Sequence, residues 1–205
     1  MDDYGLTQTA EPAAEPVSLD EAKGQVRVEL DFTADDALLG RLVKAARRLT
    51  EQYTGRRWVT QTLTLTLPGF PCGGRGEREV RLPVGPVSGV NAVRYYDADG
   101  DLTTLAADQY QTWLSHSPPL VAPGPNLTWP TTQSGRLAAV EVEFVAGYGA
   151  AAAVPADAKA AMLLCVGYWY GNRGAGTDPA ANPPAAGIPA GAKRLLDLLD
   201  DGSYR

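Results

Sequence analysis

At Gly55 the hydrophobic period of this chain changes, and that change constrains the fold more than any other feature. Upstream lies "FTADDALLGRLVKAARRLTEQYTG". At helical spacing Leu38, Leu42, Ala45, Ala46, Leu49 and Tyr53 share one face, and Arg41, Lys44, Arg47 and Arg48 share the opposite one. Thr33 is the expected N-cap, with Asp35 and Asp36 in the positive first turn. Gly55 suits the left-handed residue that ends a helix. Downstream lies "WVTQTLTLTL", in which Leu63, Leu65 and Leu67 alternate with Thr62, Thr64 and Thr66. That period of two describes a half-buried antiparallel strand. The chain must therefore hold a long helix and a sheet, joined at one corner.

The remaining segments extend this order. "VSLDEAKGQVRV" has capping-box spacing at Ser18 and Glu21 and predicts a short helix from about Leu19 to Val26 or Arg27. After Trp58 we expect strands in "REVRLP", "VSGVNAVRYY", "DLTTL", "DQYQTWL" and "RLAAVEVEFVAGYG". A turn over Asp97–Gly100 joins the second and third of these. The Pro-rich "SHSPPLVAPGPNLTWPTTQSG" is expected as loop. Pro155, at the first helical position, opens "PADAKAAMLLCVGYWYGNR", apolar or aromatic nearly all round from Ala160 to Tyr170. Such a helix is covered on more than one side, and a neighbouring subunit is one candidate cover. The expected organisation is a disordered arm over 1–16, N-terminal helices of a body over 17–57 and a β-rich insertion over 58–149. A buried body helix over 150–173, a flexible linker over 174–192 and a tail helix over 193–205 complete it. The class is α+β: a helical, bundle-like body interrupted by an antiparallel β segment.

Composition removes several functions. The 205 residues carry a net charge of −6, which disfavours a general nucleic-acid coat. The two cysteines, Cys72 and Cys165, make no disulfide framework and read as reduced thiols. The N-terminal residues lack the apolar core of a signal peptide, and no stretch reaches a membrane-spanning length. We therefore expect a cytoplasmic product with no membrane partner.

Catalytic chemistry finds little support. The single histidine, His116, sits in "LSHSPPL" with no spaced partners for a triad or metal site. "PCGGRGE" lacks the Lys-Ser/Thr ending of a phosphate loop, and "DADGD" lacks the later Glu of a calcium loop and reads better as a hairpin turn. We expect no enzyme, no cofactor and no metal. Arg56 and Arg57, at the corner after Gly55, suit a solvated corner or an inter-subunit contact better than a grip on DNA.

Taken in order, "VSLDEAKGQVRV", "DDALLGRLVKAARRLTEQYTGRRWVTQT", "LPVGPVSGVNAVRYYDADG", "VEFVAGYG", "VPADAKAAMLLCVGYWYGNR" and the terminal "LLD…YR" resemble the head–tail connector (adaptor) proteins of long-tailed bacteriophages, prophages and gene transfer agents. The resemblance runs from Val17 nearly to the end. Gly171 and Gly174 stand where the family often has acidic residues, and the linker and Pro-rich loop look long. The resemblance implies a structural virion protein at the head–tail interface, made in the host cytoplasm. It implies a ring, usually dodecameric, below the portal that extends the DNA channel toward a stopper or tail protein. Double-stranded DNA would pass without sequence-specific binding. It also implies a portal-contacting tail: Lys193, Arg194, Leu195, Leu196, Leu198, Leu199, Tyr204 and Arg205. Candidate inter-subunit residues are Arg41, Lys44, Arg48, Arg56, Arg57, Tyr168, Trp169 and Tyr170.

A second reading comes from aromatic residues in the β segment. Tyr110, Trp113 and Trp129 suit an accessory virion module that binds a ligand, unless they only pack loops onto the sheet.

Overall fold

Helix α1 (Leu19–Val26) begins at its capping box. The computed structural model, which describes residues 4–73, 78–172, 187–199, 202 and 204, places the Ser18 hydroxyl 3.1 Å from the Glu21 N–H that donates to it. The Glu21 carboxylate accepts from the Ser18 N–H at 2.7 Å. That backbone bond is the main cause holding the Glu21 carboxyl below its ordinary range. The helix stops at Arg27, whose left-handed backbone (φ 59°) turns its N–H onto the carbonyls of Lys23 and Gly24.

Helix α2 (Asp36–Thr54) starts later than Thr33 suggests. Thr33 is used one turn earlier, its carbonyl accepting from the Asp36 N–H at 3.2 Å. Asp35 is the N-cap and makes no capping bond through its side chain. Gly55, at φ 64°, ends the helix as its sequence position predicts. Helix α3 (Ala156–Gly171) has Pro155 as its N-cap, one position before the expected place. Helix α4 (Ala190–Asp197) opens inside the segment expected to be linker. The rest of that expected linker lies outside the described residues up to residue 186.

Within the helical unit, α1, α2 and α4 all pack against α3. The chain itself thus covers most of α3, although Leu164 stays 38% exposed. Ala158, Ala161, Met162, Cys165, Val166 and Trp169 are buried, and no second subunit is needed to cover them.

The sheet unit separates from the helical unit at Thr60 and Tyr148. It contains β1 (Gly5–Ala10), β2 (Gln61–Leu67), β3 (Val80–Arg81), β4 (Val87–Tyr96), β5 (Leu102–Thr104), β6 (Tyr110–Trp113), β7 (Leu120–Pro123) and β8 (Val140–Ala146). Five strands form one antiparallel sheet in the order β1-β2-β8-β4-β5, and three form another in the order β3-β7-β6. The alternation in β2 sets its register: Leu63 faces Phe144 and Leu65 faces Val142 of β8. Those four side chains are buried, together with Val80, Leu82 and Val121 from the small-sheet side. The α+β class is as the sequence predicts.

Two segments differ from expectation. Residues 5–10 form an edge strand rather than a disordered arm. Its side chains are almost all exposed, so β2's backbone ladder holds it rather than its own apolar content. The Pro-rich loop contains β7, the central strand of the small sheet. Pro119 precedes it and Pro123 closes it, where a missing N–H costs least.

Candidate assembly surfaces

Helix α2 buries a different face from the one its leucines mark. The buried residues are Leu39, Val43, Ala46, Arg47, Thr50, Glu51 and Thr54. Leu38, Leu42, Leu49 and Tyr53 are only half-buried, and Ala45 is exposed. The buried stripe is thus rotated toward the polar side. Arg47, expected on the solvent face, is 2% exposed.

A charged network makes that burial tolerable. The Arg47 Nε donates to the Glu15 carboxylate at 2.7 Å, and its Nη1 to Glu51 at 3.3 Å. Burial works against the Arg47 charge, but its bonds to Glu15 and Glu51 outweigh it and hold the guanidinium above its ordinary value. Glu51 also accepts from the Trp58 backbone N–H at 3.1 Å, while the Trp58 ring N–H donates to Thr50 Oγ1 at 2.8 Å. This places Trp58 fully inside the corner after Gly55. Arg57 is half-buried there, and desolvation lowers its pKa despite nearby Glu51. Its Nη1 donates to the Arg56 carbonyl at 3.2 Å, and both arginines are half-buried at the corner. The i,i+4 spacing of Arg47 and Glu51 was the only sequence signal for this network.

Of the expected inter-subunit residues, Arg41, Lys44 and Arg48 are exposed on α2. Trp169 is buried inside the helical unit. Tyr168 and Tyr170 are half-buried, with the Tyr170 hydroxyl donating to Asp35.

The expected tail is split between two environments. Leu196 is fully buried with Ala192, so it serves the helical unit. The Tyr53 hydroxyl donates to Asp197 at 2.6 Å, and Lys193 Nζ reaches Asp197 at 3.1 Å. Lys193 and Arg194 are exposed, Leu195 and Leu199 half-buried, and Leu198 is 76% exposed. Tyr204 belongs with the sheet unit, where its ring leaves no room for a Cβ at Gly85. Arg205 lies outside the described residues.

In the sheet unit Asp97 organises the β4–β5 turn. Its Oδ1 accepts from the N–H groups of Asp99 and Asp101, both at 3.0 Å, with Gly100 at φ 91°. Trp129 stacks on Phe70 (centroids 4.4 Å apart) and donates to the Arg78 carbonyl at 2.7 Å, which ties its loop to the sheet. Tyr110 packs against the same core. Trp113 does not; it is 59% exposed beside the His116 ring, 4.7 Å away.

The chemistry of these groups is that of packing and contact. His116 Nδ1 lies 2.7 Å from the Pro118 carbonyl. Burial pushes the Cys165 thiol up to about 11, which keeps it protonated and unreactive near neutral pH. Cys72 is a free, exposed thiol. Among the described residues no cluster of three His, Cys, Asp or Glu is placed to hold a metal ion. No described helix is long and apolar enough to cross a membrane.

No protein-family profile matches this chain, and no curated protein matches it. Solved structures do. It is similar to a chain in the neck of an empty gene transfer agent particle computed with C6 symmetry, at 26% identity and TM-score 0.73 over 93% of this chain and 94% of that one. It is similar at 26% identity and TM-score 0.70, over the same shares, to a chain in the neck of the native particle computed with C12 symmetry. A chain in the virion of a native gene transfer agent particle shares the fold at 23% identity and TM-score 0.73, over 95% of this chain and 94% of that one.

Proposed function

We propose that this chain is a structural neck protein of a phage-like particle that forms a ring below the portal and connects head to tail. The observation that carries this reading is the likeness, over 93% of the chain, to neck chains in particles computed with C6 and C12 symmetry. In this reading the ring is a dodecamer that lengthens the DNA channel and offers a docking surface to a stopper or tail protein. A net charge of −6 suits a conduit that lets DNA pass without holding it. The role is structural rather than enzymatic.

The portal contact falls to the exposed residues of the tail helix: Lys193, Arg194 and Leu198. Deleting the whole tail is a poor test, because Leu196 is a core residue of the helical unit. Point changes at Arg194 and Leu198 separate docking from folding. Electron microscopy of the full-length protein mixed with purified portal should show rings stacked on the portal. Arg194→Glu with Leu198→Asp should remove the stacking and leave the far-ultraviolet circular dichroism unchanged. A chain that stays monomeric and ignores portal at micromolar concentration overturns the proposal.

The exposed Trp113 supports a second role, as a ligand-binding module on the virion. Trp113→Ala should then reduce binding of particles to cells while ring assembly is unaffected. Equal binding by wild type and variant removes that role.

A further inference from the structure

The loop between α1 and α2 holds large apolar side chains in water on a fixed backbone. Leu30 is 62% exposed and Phe32 48% exposed. The loop's backbone is well tied. Lys23, only 2% exposed, sends its Nζ to the Leu30 carbonyl at 3.0 Å and to Asp36 at 2.7 Å. The Val28 N–H reaches the Lys23 carbonyl at 3.0 Å, and the Phe32 N–H reaches that of Glu29 at 3.1 Å. A pinned loop with outward Leu and Phe is preorganised for contact, since little ordering entropy remains to be lost on docking. Between and beside these side chains stand two exposed acids, Glu29 and Asp31.

The outer surface of α2 has the opposite character. Its half-buried leucines form a stripe beside the exposed cations Arg41 and Arg48. Among the described residues none of Glu29, Asp31, Arg41 and Arg48 is held in an ion pair. The loop does not extend along its own helix as far as Arg48. Lys23 and Asp36 fix it at the start of α2, and Arg48 lies about 18 Å farther along the axis.

We infer that the α1–α2 loop of one copy seats on the outer face of α2 of the next copy, Leu30 and Phe32 against the leucine stripe and Glu29 and Asp31 against Arg41 and Arg48. This rests on the ring reading above. A cyclic ring requires two different, mutually complementary surfaces on each subunit. The loop and the helix face supply an acidic–apolar surface and a basic–apolar one on the same unit.

Cross-linking tests the contact. In full-length protein carrying Cys72→Ser, Asp31→Cys and Arg48→Cys are introduced together and the protein is oxidised in the presence of portal. The expected result is a ladder of disulfide-linked oligomers on a denaturing gel. Each single variant should give no ladder, and a mixture of the two singles should stop at dimer, the signature of a head-to-tail contact. Rings in the microscope without a ladder overturn this interface and leave the ring reading standing. Absence of both rings and ladder overturns both. As a check that does not depend on disulfide geometry, Asp31→Arg should weaken assembly at least tenfold, and combining it with Arg48→Asp should restore most of it. Assembly unaffected by Asp31→Arg also overturns the interface.

Discussion

Helices α2 and α3 pack against each other, yet their sequences relate to their burial in opposite ways. In α3 nearly every side chain is apolar, and three helices of the same unit lie against it. In α2 the pattern is amphipathic, but the helix buries Arg47, Glu51, Thr50 and Thr54 and leaves Leu38, Leu42 and Leu49 half in water. A helix is buried where partners lie, and a polar face goes inside when each of its groups finds a bond. In α2 the two threonine hydroxyls donate back to carbonyls one turn earlier, Thr50 to Ala46 at 2.9 Å and Thr54 to Thr50 at 2.9 Å. The charges are matched by Glu15, Glu51 and the Trp58 N–H.

The sharpest test of this contrast is at neighbouring arginines. Arg47→Ala strands the Glu51 carboxylate among buried groups and should cost about 3–5 kcal/mol in a denaturant titration. If the network is only one way to fill the site, Arg47→Met combined with Glu51→Leu should recover most of that loss. A small effect of Arg47→Ala would mean that water reaches the network.

A pH titration probes α3. Burial moves the Cys165 thiol from 9.0 to about 11. The folded chain therefore keeps this proton in a range where the unfolded chain has lost it. The associated stability is complete below the unfolded value and disappears as pH rises through the folded one, by roughly 3 kcal/mol. Subtracting the alkaline denaturation curve of Cys165→Ala from that of the wild type isolates this contribution. Curves that run parallel from neutral pH to 11 would show that the thiol is solvated.

The smallest effect belongs to the outer face of α2. Arg48→Ala, one position from Arg47, should change stability by no more than about 0.5 kcal/mol, since the side chain is exposed and unpaired among the described residues. A larger loss would mean that the outer face contributes to the fold of the single chain.

Legibility in the sequence followed the range of the interactions. The α1 capping box, the Gly55 stop, the Asp97 turn and the alternation of β2 each rest on groups a few residues apart, and each stands where its pattern placed it. β1 and β7 were not legible, because neither has enough apolar alternation of its own. Backbone pairing with β2, and with β3 and β6, makes them strands. Of the candidate surfaces, exposed Arg41, Lys44 and Arg48 were readable from helical periodicity. Lys23 was not, because its value lies in a carbonyl seven residues away and in Asp36.

The sequence by itself determined the class, the order of helices and sheet, the Ser18 start of α1 and the Gly55 end of α2, since these depend on local propensity and period. Tertiary structure decided which face of α2 goes inside, that three helices of the same unit cover most of α3, and that Leu196 belongs to the core rather than to a free tail. Those outcomes depend on which distant groups meet. A buried arginine is tolerable only beside its carboxylates, and a leucine is buried only where another element comes to lie on it.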